Sequence, residues 1–217
     1  MWAYRRQENV EIARCRSADV PDIRLHFHET AQLSFVTAGR RCLETPDGSF
    51  DIAPGQGLYI PPGVLHRFRT TTGPDGWCVN LYGDLDLGPQ VRSLAGTLEH
   101  WQAACEAVPQ AGVATGSDAS RSFGACLTGT PGTIGDIARG LGQSREYFTR
   151  RFVKTAGIPP HTYRLLARLN HARRALRAGG DPASVAAELG FVDQSHLGRH
   201  FRRTFGTTPG TYRKSRS

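Results

Sequence analysis

The sequence predicts an α+β protein of two parts: an N-terminal antiparallel β-barrel and a C-terminal all-α region built on two helix-turn-helix units. Three observations carry this prediction. Short β-type runs separated by turns fill the first 82 residues, helical periodicity dominates from Ile134 onward, and the formal charge changes sign between the two parts. Residues 1–129 hold 11 Arg/Lys against 14 Asp/Glu, a net −3, whereas residues 130–217 hold 16 against 5, a net +11. The chain's +8 excess therefore comes entirely from its second part. A basic excess confined in this way suggests a polyanion-binding half.

Composition narrows the class further. The 217 residues are 39% hydrophobic, enough for real cores. No run approaches the roughly 18 uninterrupted apolar residues of a bilayer span, and the start, Met1 to Arg6, lacks the apolar stretch of a secretory signal. The five cysteines (Cys15, Cys42, Cys78, Cys105, Cys126) are odd in number and contain no C-x-x-C pair, so neither a disulfide framework nor a zinc finger is indicated. The expectation is a cytoplasmic protein with no membrane partner.

In chain order, residues 32–38, 41–44, 57–60, 66–70 and 77–82 read as strands. Pro46-Asp47-Gly48 is a hairpin signal, because Pro presets φ and Gly tolerates positive φ. After Asp84, Val91, Leu94, Ala95, Leu98, Trp101 and Cys105 recur at helical spacing, which predicts one helix over 90–108 that Pro109 ends. Its apolar stripe must bury against the barrel or against another chain, and the spacing leaves both open. Residues 110–120 are small, polar and Gly-containing, the texture of an exposed linker.

The last 85 or so residues contain an internal repeat. At an offset of 49, Phe148 meets Leu197, Arg150 meets Arg199, Phe152 meets Phe201, Gly157 meets Gly206, and Thr162-Tyr163-Arg164 recurs as Thr211-Tyr212-Arg213. Each copy reads as a short helix, a glycine turn, an N-cap (Ser144 or Asp193) and a second helix. The second helix buries Phe148 and Phe152, or Leu197 and Phe201, on one face. Its other face presents Arg145, Glu146, Thr149 and Arg150, or Gln194, Ser195, His196 and Arg199. Arg reaches guanine O6 and N7 in bidentate fashion, and Gln does the same with adenine, so these eight residues are the candidates for base readout. Arg151, Lys154, Arg202 and Arg203 lie where they would neutralise phosphates. Between the copies, residues 161–178 read as a continuous helix about 27 Å long. That length could set two readers near successive major grooves, about 34 Å apart on duplex DNA.

The segment from Ile134 to Arg213, with I-G-D-I-A-R-G-L-G-Q-S-R-E-Y-F-T-R-R-F, A-G-I-P-P-H-T-Y and L-G-F-V-D-Q-S-H-L-G-R-H-F-R-R-T-F-G-T-T-P-G-T-Y-R, resembles the DNA-binding domain of AraC/XylS-family transcriptional regulators. The resemblance implies two helix-turn-helix units joined by a linking helix. It also implies a division into a cupin-like sensor over 1–84, a linker helix and loop over 85–120, and a DNA-binding region over 121–217. One departure is visible: the helix expected before Ile134 falls in 121–133, which carries Gly124, Gly129, Pro131 and Gly132.

In the strand-rich half, His26-x-His28 and then Gly55-x5-Pro61-x-Gly63-x2-His66 are similar to the two signatures of cupin barrels. Two histidines one residue apart on a strand share a face, and a third on a neighbouring strand could complete a facial site. The usual Glu and Asn positions hold Gln32 and Thr70, which weakens an iron or manganese site. No cofactor is expected, although His26, His28 and His66 alone can still hold a divalent metal such as zinc, nickel or copper. The competing reading is a pocket for a small effector, lined by His26, His28, Gln32, Tyr59, His66 and Trp77. The leading function is a regulator that binds double-stranded DNA and a small-molecule effector and is not an enzyme, with RNA polymerase and a second copy of the chain as further partners. The alternative is a metal-dependent cupin enzyme, dioxygenase-like, with a basic accessory domain.

Overall fold

The computed structural model describes residues 2–7, 9–16, 23–70, 76–108, 127 and 132–215. Its N-terminal part consists of β1 (Ala3–Gln7), β2 (Val10–Arg16), β3 (Ala31–Ala38), β4 (Arg41–Thr45), β5 (Gly48–Ile52), β6 (Gly57–Ile60), β7 (Arg67–Thr70), β8 (Trp77–Gly83) and β9 (Arg92–Leu94). These form a six-stranded sheet in the order β1-β2-β8-β3-β6-β9 and a three-stranded sheet β5-β4-β7, with every pairing antiparallel. The Pro46-Asp47 turn closes the β4–β5 hairpin. Side-chain alternation sorts the larger sheet into two buried faces. Leu33, Phe35, Tyr59, Val79 and Leu81 pack together on one face, while Val36, Leu58 and Ile60 meet Leu43 and Ile52 of the smaller sheet on the other.

The antiparallel N-terminal fold is as expected: the two sheets face each other, and among the described residues their ladders stay open at the edges. One expectation is corrected here: the helix expected over 90–108 is shorter. Arg92–Leu94 pairs with β6 as β9, and helix α1 runs over Leu98–Ala107. Gly96, at φ +106, turns the chain between them, and Thr97 then caps α1 by accepting from the His100 N–H. Leu98, Trp101 and Cys105 pack on the chain's own sheet, so the helix stripe is buried intramolecularly.

The C-terminal part holds α2 (Ile134–Gly140), α3 (Arg145–Ala156), α4 (Pro160–Arg177), α5 (Pro182–Glu188), α6 (Gln194–Phe205) and α7 (Pro209–Lys214). Thr133 and Asp136 form a capping box on α2. Ser144 and Asp193 accept from the backbone N–H groups of Tyr147 and His196 to start α3 and α6. Gly157 and Gly206 end those two helices in the left-handed conformation, at φ +75 and +71, so the repeat is structural as well as sequential. The 18-residue α4 buries Leu166, Leu169, Ala172 and Leu176 into the core that α6 completes with Leu197, Phe201 and Phe205. The expected linker over 110–120 lies outside the described residues. So does most of 121–133, but Leu127 is fully buried against Ile137, Ala138, Phe148 and Phe152. Among the described residues no helix is long and apolar enough to cross a membrane.

Candidate nucleic-acid interface and ligand site

Helices α3 and α6 each bury one face and expose the other, because their aromatic or Leu residues recur at spacing four. Phe148 and Phe152 are fully buried, as are Leu197 and Phe201. Of the residues expected to read bases, Arg145, Glu146 and Arg150 are exposed on α3, with Thr149 half-buried; Gln194, Ser195 and Arg199 are exposed on α6. His196 is the exception in kind. It is half-buried, its Nδ1 accepts from the Val192 N–H at 3.3 Å, and its ring packs against Phe191 and His200. Arg151, Lys154, Arg202 and Arg203 are all exposed further along the same helices.

The N-terminal half docks on these helices through their C-caps. A side chain on Gly206 would collide with the Trp2 indole, and one on Gly157 would press against Pro46. Both glycines occupy the same place in the repeat, so the sheets touch each unit at the same point. Between these contacts lies a buried polar seam. Glu11 of β2 pairs with Arg173 of α4 and accepts from the Tyr212 hydroxyl. Asn170 donates to the Phe27 carbonyl at 3.0 Å, Tyr4 to the Phe205 carbonyl at 2.8 Å, and Arg6 to the carbonyls of Arg177 and Tyr212. Burial alone would raise the Glu11 carboxyl. Arg173 and the Tyr212 hydroxyl outweigh burial and hold it below the usual range.

His26, His28 and His66 come together next to this seam, all buried, with one nitrogen of each within 4.8 Å of the others. Their hydrogen bonds assign the tautomers. The Nδ1–H groups of His26 and His66 donate to the carbonyls of Arg24 (2.9 Å) and Val64 (2.8 Å), which leaves His26 Nε2 as a bare lone pair, while His66 Nε2 meets Gln32 Oε1. His28 is wired oppositely. Arg173 Nη1 donates to its Nδ1 at 2.8 Å, so its proton sits on Nε2 and points at His26 Nε2, 3.1 Å away. The Gln32 amide lies 3.1 Å from His66 Nε2. Burial pushes His26 and His28 well below the ordinary imidazole range and His66 down to about 4, so the cluster is neutral near pH 7.

A small cavity adjoins the cluster. His26, His28, Gln32, Arg41, Asn80 and Tyr82 line it from the sheets, and Thr204 and Phe205 line it from the end of α6. Two expected pocket residues are elsewhere, and strand parity explains both. Tyr59 projects to the opposite face of the large sheet, where its hydroxyl meets Leu85 and Leu87. Trp77 lies at the open end of β8 and is 48% exposed. His66 stands behind Gln32.

The family described as an AraC-like ligand binding domain matches residues 13–83, and the family described as a helix-turn-helix domain matches residues 137–215. The chain carries an AraC-like ligand binding domain followed by a helix-turn-helix domain. Among curated proteins, this AraC-like chain is similar to the transcriptional activator NphR of a Rhodococcus species, 40% identical over 83 residues, which are 38% of this chain and 24% of that protein. It is also similar to an AraC-like transcription regulator of Streptomyces lividans, 37% identical over 83 residues, 38% of this chain and 27% of that protein. The matched stretches thus span about a quarter of those relatives' length. Among solved structures, ToxT of Vibrio cholerae with a bound unsaturated fatty acid is similar in fold across 96% of this chain and 97% of that one, at TM-score 0.63 and 12% identity.

The spacing of motif residues in the AraC-like chain does not single out Arg41, Glu11 or Arg173. A signal exists for Arg173 and Asn170: both occupy core positions of the α4 stripe formed by Leu166, Leu169 and Leu176, where a polar side chain needs a buried partner. Arg41 shares the inward face of β4 with Leu43.

Proposed function

We propose that the chain is a sequence-specific DNA-binding transcription regulator whose N-terminal sheets sense a small ligand. The observation that carries this reading is the duplicated reader: two capped helices, α3 and α6, each turn an Arg-bearing polar face to solvent and are joined by an 18-residue helix. In this reading Arg145, Glu146, Thr149, Arg150, Gln194, Ser195, His196 and Arg199 meet base edges, while Arg151, Lys154, Arg202 and Arg203 meet phosphates. The boundaries 1–84, 85–120 and 121–217, a cytoplasmic setting, contact with RNA polymerase and pairing of two chains extend the same reading. Selection of bound duplexes from a random pool tests it. An enriched site whose affinity falls in Arg150→Ala and Arg199→Ala supports the proposal, and no enrichment over random sequence rejects it.

The sheet half supports the sensing role by its contacts, since it touches both units at their C-caps and touches α4 through Arg173. A ligand acts there only through unequal affinity for two arrangements. ToxT carries a fatty acid on a similar fold, which is consistent with a ligand in this half.

The metal-dependent enzyme reading rests on the three histidines, and as docked they do not fit a cation. Ligation needs three converging lone pairs, whereas His28 presents an N–H for as long as Arg173 donates to its Nδ1. The guanidinium of Arg173 stands beside the cluster, that of Arg41 bears on His66, and the carboxylate of the usual cupin pattern is replaced by Gln32.

A further inference from the structure

Arg41 is 2% exposed, yet its Nε and Nη1 meet no hydrogen-bond partner. Its guanidinium lies 4.2 Å over the Phe68 ring and forms no ion pair with any described carboxylate. An unpaired buried cation is among the costliest arrangements in a protein interior. The neighbouring buried arginine shows the contrast, because Arg173 is paired with Glu11 and donates to His28. Arg41 faces the cavity at the foot of α6. Around that cavity the Trp2 indole N–H is likewise unpartnered, and Asn80 Oδ1 adds one unpartnered acceptor. Three N–H-bearing atoms without partners around one space, two of them on a cation, are the donor set that suits an oxygen anion.

We infer that this cavity is a site for an organic carboxylate, with the Arg41 guanidinium as its counter-charge. The inference rests on the ligand-sensing half of the regulator reading and supplies its ligand class. The neutral histidines and the nearby guanidinium groups of Arg41 and Arg173 favour an anion over a metal ion there. The space as it stands holds about one water molecule. A ligand larger than its own carboxylate therefore displaces a wall. The sheet wall is held by its ladders, whereas the α6 wall meets the sheets through the Tyr4 hydroxyl on the Phe205 carbonyl, the Phe205 ring on His28 and Trp2 against Gly206. The carboxylate thus enters as Thr204 and Phe205 move off the sheet, which changes how the second reader is presented.

The test is calorimetric titration of the full chain with matched pairs at up to millimolar concentration: acetate and acetamide, hexanoate and hexanamide, benzoate and benzamide. At least one carboxylate binds and its amide binds more weakly by about tenfold or more, the loss of one charge-assisted pair. Arg41→Met abolishes that preference, and Arg41→Lys retains part of it. The ligand-free melting temperature of Arg41→Met equals or exceeds that of the parent, because a merely structural arginine would lower it while a site arginine without its ligand would not. No carboxylate preferred over its amide, equal preference in Arg41→Met, or a lower melting temperature in that variant would each overturn the inference. Duplex selection on the same ligand-free protein separates the two claims: site-specific DNA binding without carboxylate preference removes this inference and leaves the regulator reading standing.

Discussion

At the scale of single residues, the C-terminal part uses arginine in two opposite ways. Arg150 and Arg199 are exposed at equivalent repeat positions, where in the proposed function a guanidinium keeps its hydration until a base edge replaces it. Replacing either with Ala should weaken specific binding by about 1–3 kcal/mol and relax preference at one position. Lys154→Ala should instead weaken binding to all sequences alike and lower the salt slope by about one. Gel shifts over a salt series distinguish these outcomes. Arg173 is buried and paired, so its worth lies in its partner. Glu11→Gln leaves that guanidinium uncompensated and should cost about 3–5 kcal/mol in urea unfolding, and adding Arg173→Met should recover most of the loss. The exposed faces of α3 and α6 were legible in sequence because a helix face is a local pattern repeated twice. Arg41 and Glu11 were not, since the burial of each is created by strands and helices far away in the chain.

At the scale of elements, the helical repeat follows from capping and periodicity: a Ser or Asp at each N-cap, a left-handed glycine at each C-cap, and apolar residues at spacing four between them. These are short-range determinants, and α2 to α6 lie where they place them. The sheet half was less legible. β1 and β2 carry Arg5, Arg6, Glu11 and Arg14, which hide their alternation, and β9 continues the apolar spacing of α1 across the Gly96 turn. The Gly157 and Gly206 positions give an element-scale prediction. Gly206→Ala imposes left-handed strain of about 1–2 kcal/mol and a collision with Trp2 as well, so it should destabilise the chain more than Gly157→Ala, whose neighbour is the rim of Pro46. Thermal melts of the two variants, with Trp2→Ala added to the first, check this. Equal losses, or no recovery with Trp2→Ala, would show that the cap does not bear on the sheet as described.

At the scale of the whole molecule, burial of three neutral histidines makes stability depend on pH. The unfolded chain takes up protons below about pH 6.5, whereas the folded cluster resists them, His66 down to about 4. Their contribution is therefore complete above pH 6.5 and is lost as pH falls, by up to about 1.4 kcal/mol per pH unit for each histidine. Glu11, held below its ordinary value, loses its contribution in acid as well, as pH drops below about 4.5. Denaturant midpoints should be flat from pH 7 to 8 and decline steadily from 6.5 to 5; a flat profile across that lower interval would contradict the neutral cluster. The proposed function requires the exposed faces of α3 and α6 to act on one duplex. Footprinting on a selected duplex tests that most directly. The account predicts two protected stretches about 10 base pairs apart centre to centre, the nearer edge of one exposed in Arg150→Ala and of the other in Arg199→Ala. A single protected stretch unchanged by either substitution would contradict it.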